Sequence, residues 1–61
     1  MDREKARTEL AARYNVNPDG LEYAHTWIIP ELGKVVLLFH IVDQSHVQYG
    51  STVSYDVCQT P

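Results

Sequence analysis

A second cysteine is missing. Cys58 stands alone among 61 residues, so no disulfide can close within the chain. The lack matters at this length, because a chain so short buries only about 60% of the surface its unfolded form exposes. Small domains usually make up the deficit with disulfides, a metal or a partner subunit. A lone thiol also suits a reducing compartment, so a cytoplasmic location is expected. Long apolar runs are absent as well. The densest, Val35 to Val42, is interrupted by His40 and falls far short of the roughly 20 residues of a membrane-crossing helix. The opening residues, MDREKARTEL, mix charges of both signs without an apolar segment, unlike a secretory signal. No membrane association is expected.

Positive charge is scarce. The formal net charge is −3 and its distribution is uneven. Residues 1–14 carry four bases against three acids, a net of +1; residues 15–61 carry only Lys34 against five acids, a net of −4. Displacing counterions from phosphates needs a basic stripe, and the only bases in number are interleaved with acids on the first segment. A solvated helix face explains them, and no nucleic-acid partner is expected.

Chemical motifs are missing too. No CxxC or HxxxH spacing marks a zinc site. NPDG at 17–20 contains one glycine and is turn chemistry, not a phosphate-binding loop. Ser45 and His46 are adjacent in a turn, no carboxylate pair flanks an evident pocket, and a domain of this size has little volume for one. The expectation is that the chain is not an enzyme and binds no cofactor.

What the sequence does contain is a legible succession of elements. Residues 2–14, DREKARTELAARY, are strong helix formers, with Asp2 able to cap the first turn and Glu9 four residues before Arg13. The apolar stripe is thin: Ala6, Leu10 and Tyr14, with Ala11 beside it. Such a helix must dock to be stable. Asn15 suits a left-handed cap. After NPDG, LEYAHTWII at 21–29 is rich in β-branched and aromatic residues and stops at Pro30. PELG at 30–33 has hairpin length, a second strand follows at about 34–42, and DQSH at 43–46 turns the chain again. VQYGSTVSYDV at 47–57 alternates apolar and polar, as a half-buried edge strand does, with a bulge or bend at Gly50. The expected fold is α+β: one domain over residues 1–61, an N-terminal helix packed on a three-stranded antiparallel meander.

The second strand poses the question that leads to function. GKVVLLFHIVDQ does not alternate, so it has no wet side. If PELG closes the hairpin, Ile29 lies opposite Lys34 and paired residue numbers sum to 63. Ala24, Thr26 and Ile28 then share a face with Val35, Leu37, Phe39 and Ile41, joined by Val47, Tyr49, Val53 and Tyr55. The small residues Ala24 and Thr26 leave room there for the helix, which makes this face the core. The second face takes Tyr23, His25, Trp27 and Ile29 from the first strand. From the second strand it takes Val36, Leu38, His40 and Val42. One helix cannot cover both faces, and an apolar patch of several hundred Å2 marks an interaction site.

The expected function is therefore a small protein-interaction module, such as an accessory subunit or inhibitor, that forms a homodimer through the second face and binds an unidentified protein partner. Edge pairing of the third strand is another route to a dimer. The alternative is a metal- or ligand-binding protein using His25, His40 and His46, with Cys58 and Asp43 as further candidate ligands. On sheet geometry His25 and His40 are close to diagonal neighbours on one face.

Overall fold

The structure is a computed structural model that describes residues 3–57. Helix α1 spans Arg3–Tyr14 and is followed by a 3-10 turn over Pro18–Gly20. Strand β1 is Leu21–Ile29, a second 3-10 turn covers Pro30–Leu32, and β2 is Lys34–Ile41. Strand β3, Thr52–Val57, completes an antiparallel sheet in the order β1-β2-β3, with β2 central. This is the α+β arrangement that the residue pattern indicates. Asp2 and Cys58 lie outside the described residues.

Local chemistry accounts for each boundary. Asn15 ends α1 at φ 56, the left-handed cap. The Asn17 side chain accepts from the Asp19 N–H at 2.9 Å, and the Gly20 N–H donates to the Asn17 carbonyl at 2.7 Å, which winds NPDG into its turn. A Cβ on Gly20 would come within 2.9 Å of the Asp43 Cβ, so this close crossing requires glycine. Gly33, at φ 60, closes the β1–β2 hairpin in a left-handed conformation. Glu9 does not bond Arg13 as the helix spacing suggests; its carboxylate accepts from the Tyr55 hydroxyl at 2.9 Å and ties α1 to β3.

The core lies between α1 and one face of the sheet. Leu10, Leu37, Phe39 and Ile41 are fully buried, surrounded by Ala6, Ala11, Val16, Leu21 and Val53. The alanines let the helix approach closely, while Phe39 fills the space beneath it. Arg7 lies over Phe39, its guanidinium carbon 5.9 Å from the ring centroid, and reaches Glu4 at 2.6 Å.

Two parts of the sheet depart from expectation. The hairpin register sums to 63 from His25↔Leu38 to Ile29↔Lys34, as PELG implies, but shifts at Tyr23↔Phe39. Ala24 is the extra residue of a β-bulge, exposed instead of facing the helix. The bulge swings Tyr23 to the helix side. There it meets Phe39 edge-to-face, with centroids 5.9 Å apart, beneath the Arg3 guanidinium. The other departure is the third strand, which starts at Thr52 rather than Val47. Residues 43–51 form successive turns, closed by i to i+3 bonds from His46 to Asp43, Tyr49 to His46 and Ser51 to Gln48. Val47 and Tyr49 are consequently 93% and 55% exposed, not core. Gly50, at φ 90, redirects the chain into β3.

Candidate functional site

Alternation along β2 divides its residues between two environments. Val35, Leu37, Phe39 and Ile41 face the helix. Lys34, Val36, Leu38 and His40 face away from it, toward a side on which no described element packs. The pairings arrange that second face in four rows across the sheet. Glu22, His40 and Thr52 form one end row, followed by His25, Leu38 and Ser54. Next come Trp27, Val36 and Asp56, and then Ile29 with Lys34.

Of the residues assigned to this face by strand periodicity, His25, Trp27, Val36, Leu38 and His40 are brought together there. Tyr23 is not: the bulge gives its place to Glu22, which sits opposite His40. Val42 lies one residue past β2, 41% exposed, with its N–H donating to the Gly20 carbonyl. The bulge was not readable from local composition, since nothing about Ala24 marks it as the extra residue.

The face is apolar along β1 and β2 and polar along β3. Trp27 is 57% exposed beside Val36, which is 8% exposed although it does not belong to the core cluster under the helix. Central position in the sheet shields Val36; the tryptophan at the outer strand has no such cover. Charge sits at the margins. Lys34 Nζ lies 3.7 Å from Asp56 Oδ2 near one end, both well exposed, and Glu22 stands at the other. His40 Nδ1 shares a 3.1 Å hydrogen bond with the Thr52 hydroxyl within the Glu22 row.

The third histidine is elsewhere. His46 Nδ1 accepts from the Gln48 N–H at 3.0 Å, so Nε2 carries the proton and donates to the Tyr14 carbonyl at 2.9 Å. The ring thus pins the 43–51 loop to the end of α1, with both nitrogens engaged. Ser45 does not face it as a nucleophile would: its hydroxyl donates to Asp43 at 2.6 Å. That bond, with the Ser45 backbone N–H at 3.0 Å, holds the Asp43 carboxyl below its ordinary 3.8; nearby His46 acts the same way and partial desolvation opposes it. Among the described residues, no group of three or more His, Cys, Asp or Glu side chains is placed to hold a metal ion. Nor is any helix there long and apolar enough to cross a membrane.

Neither a protein-family model, nor a curated protein, nor a solved structure matches this chain.

Proposed function

We propose that the chain is a small protein-interaction module that works as a homodimer, closing its second sheet face against the same face of another copy. The exposure of Trp27 carries this reading: the indole stands 57% exposed next to Val36 and Leu38 on a side that the single helix does not reach. Leaving such a surface wet forfeits about 25 cal/mol for every Å2 that a partner would cover. Tryptophan is also among the residues that concentrate binding energy at interfaces. The reading assigns the chain no catalysis of its own and places it in a reducing compartment such as the cytoplasm, which its lone cysteine suits. A metal or small-ligand site is less well supported, because His46 is committed to the loop clasp and leaves His25 and His40 as the only histidines on the face.

The interface would be small. Three strands about 4.8 Å apart and four rows about 6.7 Å apart project to roughly 350 Å2 per copy. At about 700 Å2 in total that is well below a standard-size interface, so weak association, dissociating within or above the micromolar range, is expected. Sedimentation equilibrium from millimolar to micromolar protein tests it. Wild type should shift from dimer to monomer, and Leu38→Glu should weaken association about tenfold or more, because the contact would have to desolvate a charge. Ala12→Glu, on the exposed side of the helix, should change nothing. Wild type that remains monomeric at millimolar concentration while folded would exclude the homodimer.

A further inference from the structure

The second face is asymmetric from side to side, and this restricts how a second copy can sit on it. Stacked sheets either align, with strand directions within about 30° of each other, or cross near 90°; a right-angle crossing would overlap only about half of this long, narrow face, so the aligned packing buries more. A two-fold axis lying between two such faces therefore runs either along the strands or across them. An axis along β2 reverses the lateral order and places β1 of one copy over β3 of the other. Trp27 would then rest on Asp56 and His25 on Ser54, so that only the central strand, Val36 on Val36 and Leu38 on Leu38, keeps apolar contact while both outer strands set apolar surface against polar. Moving that axis between β1 and β2 restores apolar contact only by leaving β3 outside, which removes about a third of a footprint that is already small.

An axis across the strands keeps the lateral order and reverses direction. It passes between the Leu38 and Val36 rows, so each lies over the other's counterpart: Leu38 on Val36, His25 on Trp27, and Ser54 beside the Asp56 carboxylate as a hydrogen-bond donor. The end rows exchange as well. Lys34 of each copy comes over the row that holds Glu22 and His40 in the other. Each strand lies on its own counterpart, so apolar columns meet apolar columns and polar meets polar; Lys34 comes over His40 and Glu22 over Ile29, which leaves the lysine one strand to the side of the Glu22 carboxylate.

We infer that two copies pair with strands antiparallel about a two-fold axis that crosses the strands, with Lys34 of each copy paired to Glu22 of the other. The inference rests on the homodimer proposed above and adds its orientation and its specificity-determining charges. Lys34 and Glu22 occupy the two ends of one face, too far apart to meet within a chain; Lys34 has only the long, exposed contact to Asp56 at 3.7 Å within its own chain, which leaves it able to reach a carboxylate of the second copy.

Charge reversal gives the test. Lys34→Glu and Glu22→Lys each place like charges at both ends of the pair, and like-charge contacts act strongly against association. Each variant alone should lose about tenfold or more in self-association, read by sedimentation equilibrium. An equimolar mixture of the two should form a heterodimer close to wild-type affinity, since every end contact is again of opposite sign. Circular dichroism melting of each variant at low concentration checks that it is folded; the exposed Lys34–Asp56 contact that Lys34→Glu removes contributes little. Wild-type dimers with unaffected single variants, or a mixture that fails to recover, would overturn this orientation while leaving the homodimer standing. A wild type that is monomeric throughout would overturn both.

Discussion

The two sides of strand β2 share apolar centres, Val35 and Leu37 on one and Val36 and Leu38 on the other, but differ at the ends, where Lys34 and His40 contrast in character with Phe39 and Ile41. Leu37, Phe39 and Ile41 are at most 1% exposed, while Leu38, between two of them, is half-buried and Val36 is screened without joining the core. The central strand already favours the wholly apolar side for the helix, and its neighbour reinforces that choice. β3 offers Val53, Tyr55 and Val57 to the helix side and Thr52, Ser54 and Asp56 to the other, so only one side is apolar across all three strands. A helix with as thin a stripe as Ala6, Leu10 and Ala11 needs that continuous surface. The second side, apolar on two strands only, suits a contact that forms and breaks.

Removing Phe39 breaks the contrast most directly. Phe39→Ala should cost about 3–5 kcal/mol, close to the whole stability of a domain at the lower end of the usual range. Thermal and denaturant unfolding would report a protein that is unfolded or nearly so. A melting temperature that scarcely moves would mean the sides had been exchanged. A finer test compares two aromatic residues of β1 that the bulge separates. Tyr23→Ala should cost about 1–2 kcal/mol, less than a fully buried aromatic, because it removes the edge-to-face contact with Phe39. Trp27→Ala, measured in dilute solution, should stay within about 0.5 kcal/mol of wild type and act only on association. Equal losses at both positions would erase the distinction.

The smallest effect belongs to the loop outside both faces. Because the folded Asp43 carboxyl lies below 3.8, its contribution is present above that pH and is lost as pH falls through the lower folded value. A carboxyl titration followed by NMR should find a midpoint below 3.8 in wild type and one closer to the ordinary value in Ser45→Ala.

Most of the fold is legible in the residues because short-range chemistry sets it. The helix follows from its formers and Asn15, the first strand from NPDG and Pro30, and the lower hairpin register from PELG. Two features escape such reading. The Ala24 bulge is chosen by long-range packing, which draws Tyr23 onto Phe39 and Leu21 into the core, and no local signal competes with simple alternation. Val47 and Tyr49 continue the alternation of β3, yet the turn at Asp43 and the positive φ of Gly50 divert the chain before pairing can extend to them. The candidate site inherits both the success and the failure: its rows from His25 to Ile29 stand where periodicity puts them, and its far end carries Glu22 in place of Tyr23.

The molecule measures 38 × 17 × 14 Å with a radius of gyration of 11.9 Å, against about 10.5 Å for a globule of this length. The β1–β2 hairpin extends past the helix, with Ile28 and Leu32 63% and 66% exposed toward its tip. Hydrodynamic friction depends on that elongation. A single chain will tumble more slowly and elute earlier from a sizing column than its mass warrants. Two chains stacked face to face would form a thicker, rounder particle with a lower frictional ratio. Dimerisation should therefore double the mass while changing the elution volume less than a doubling normally does.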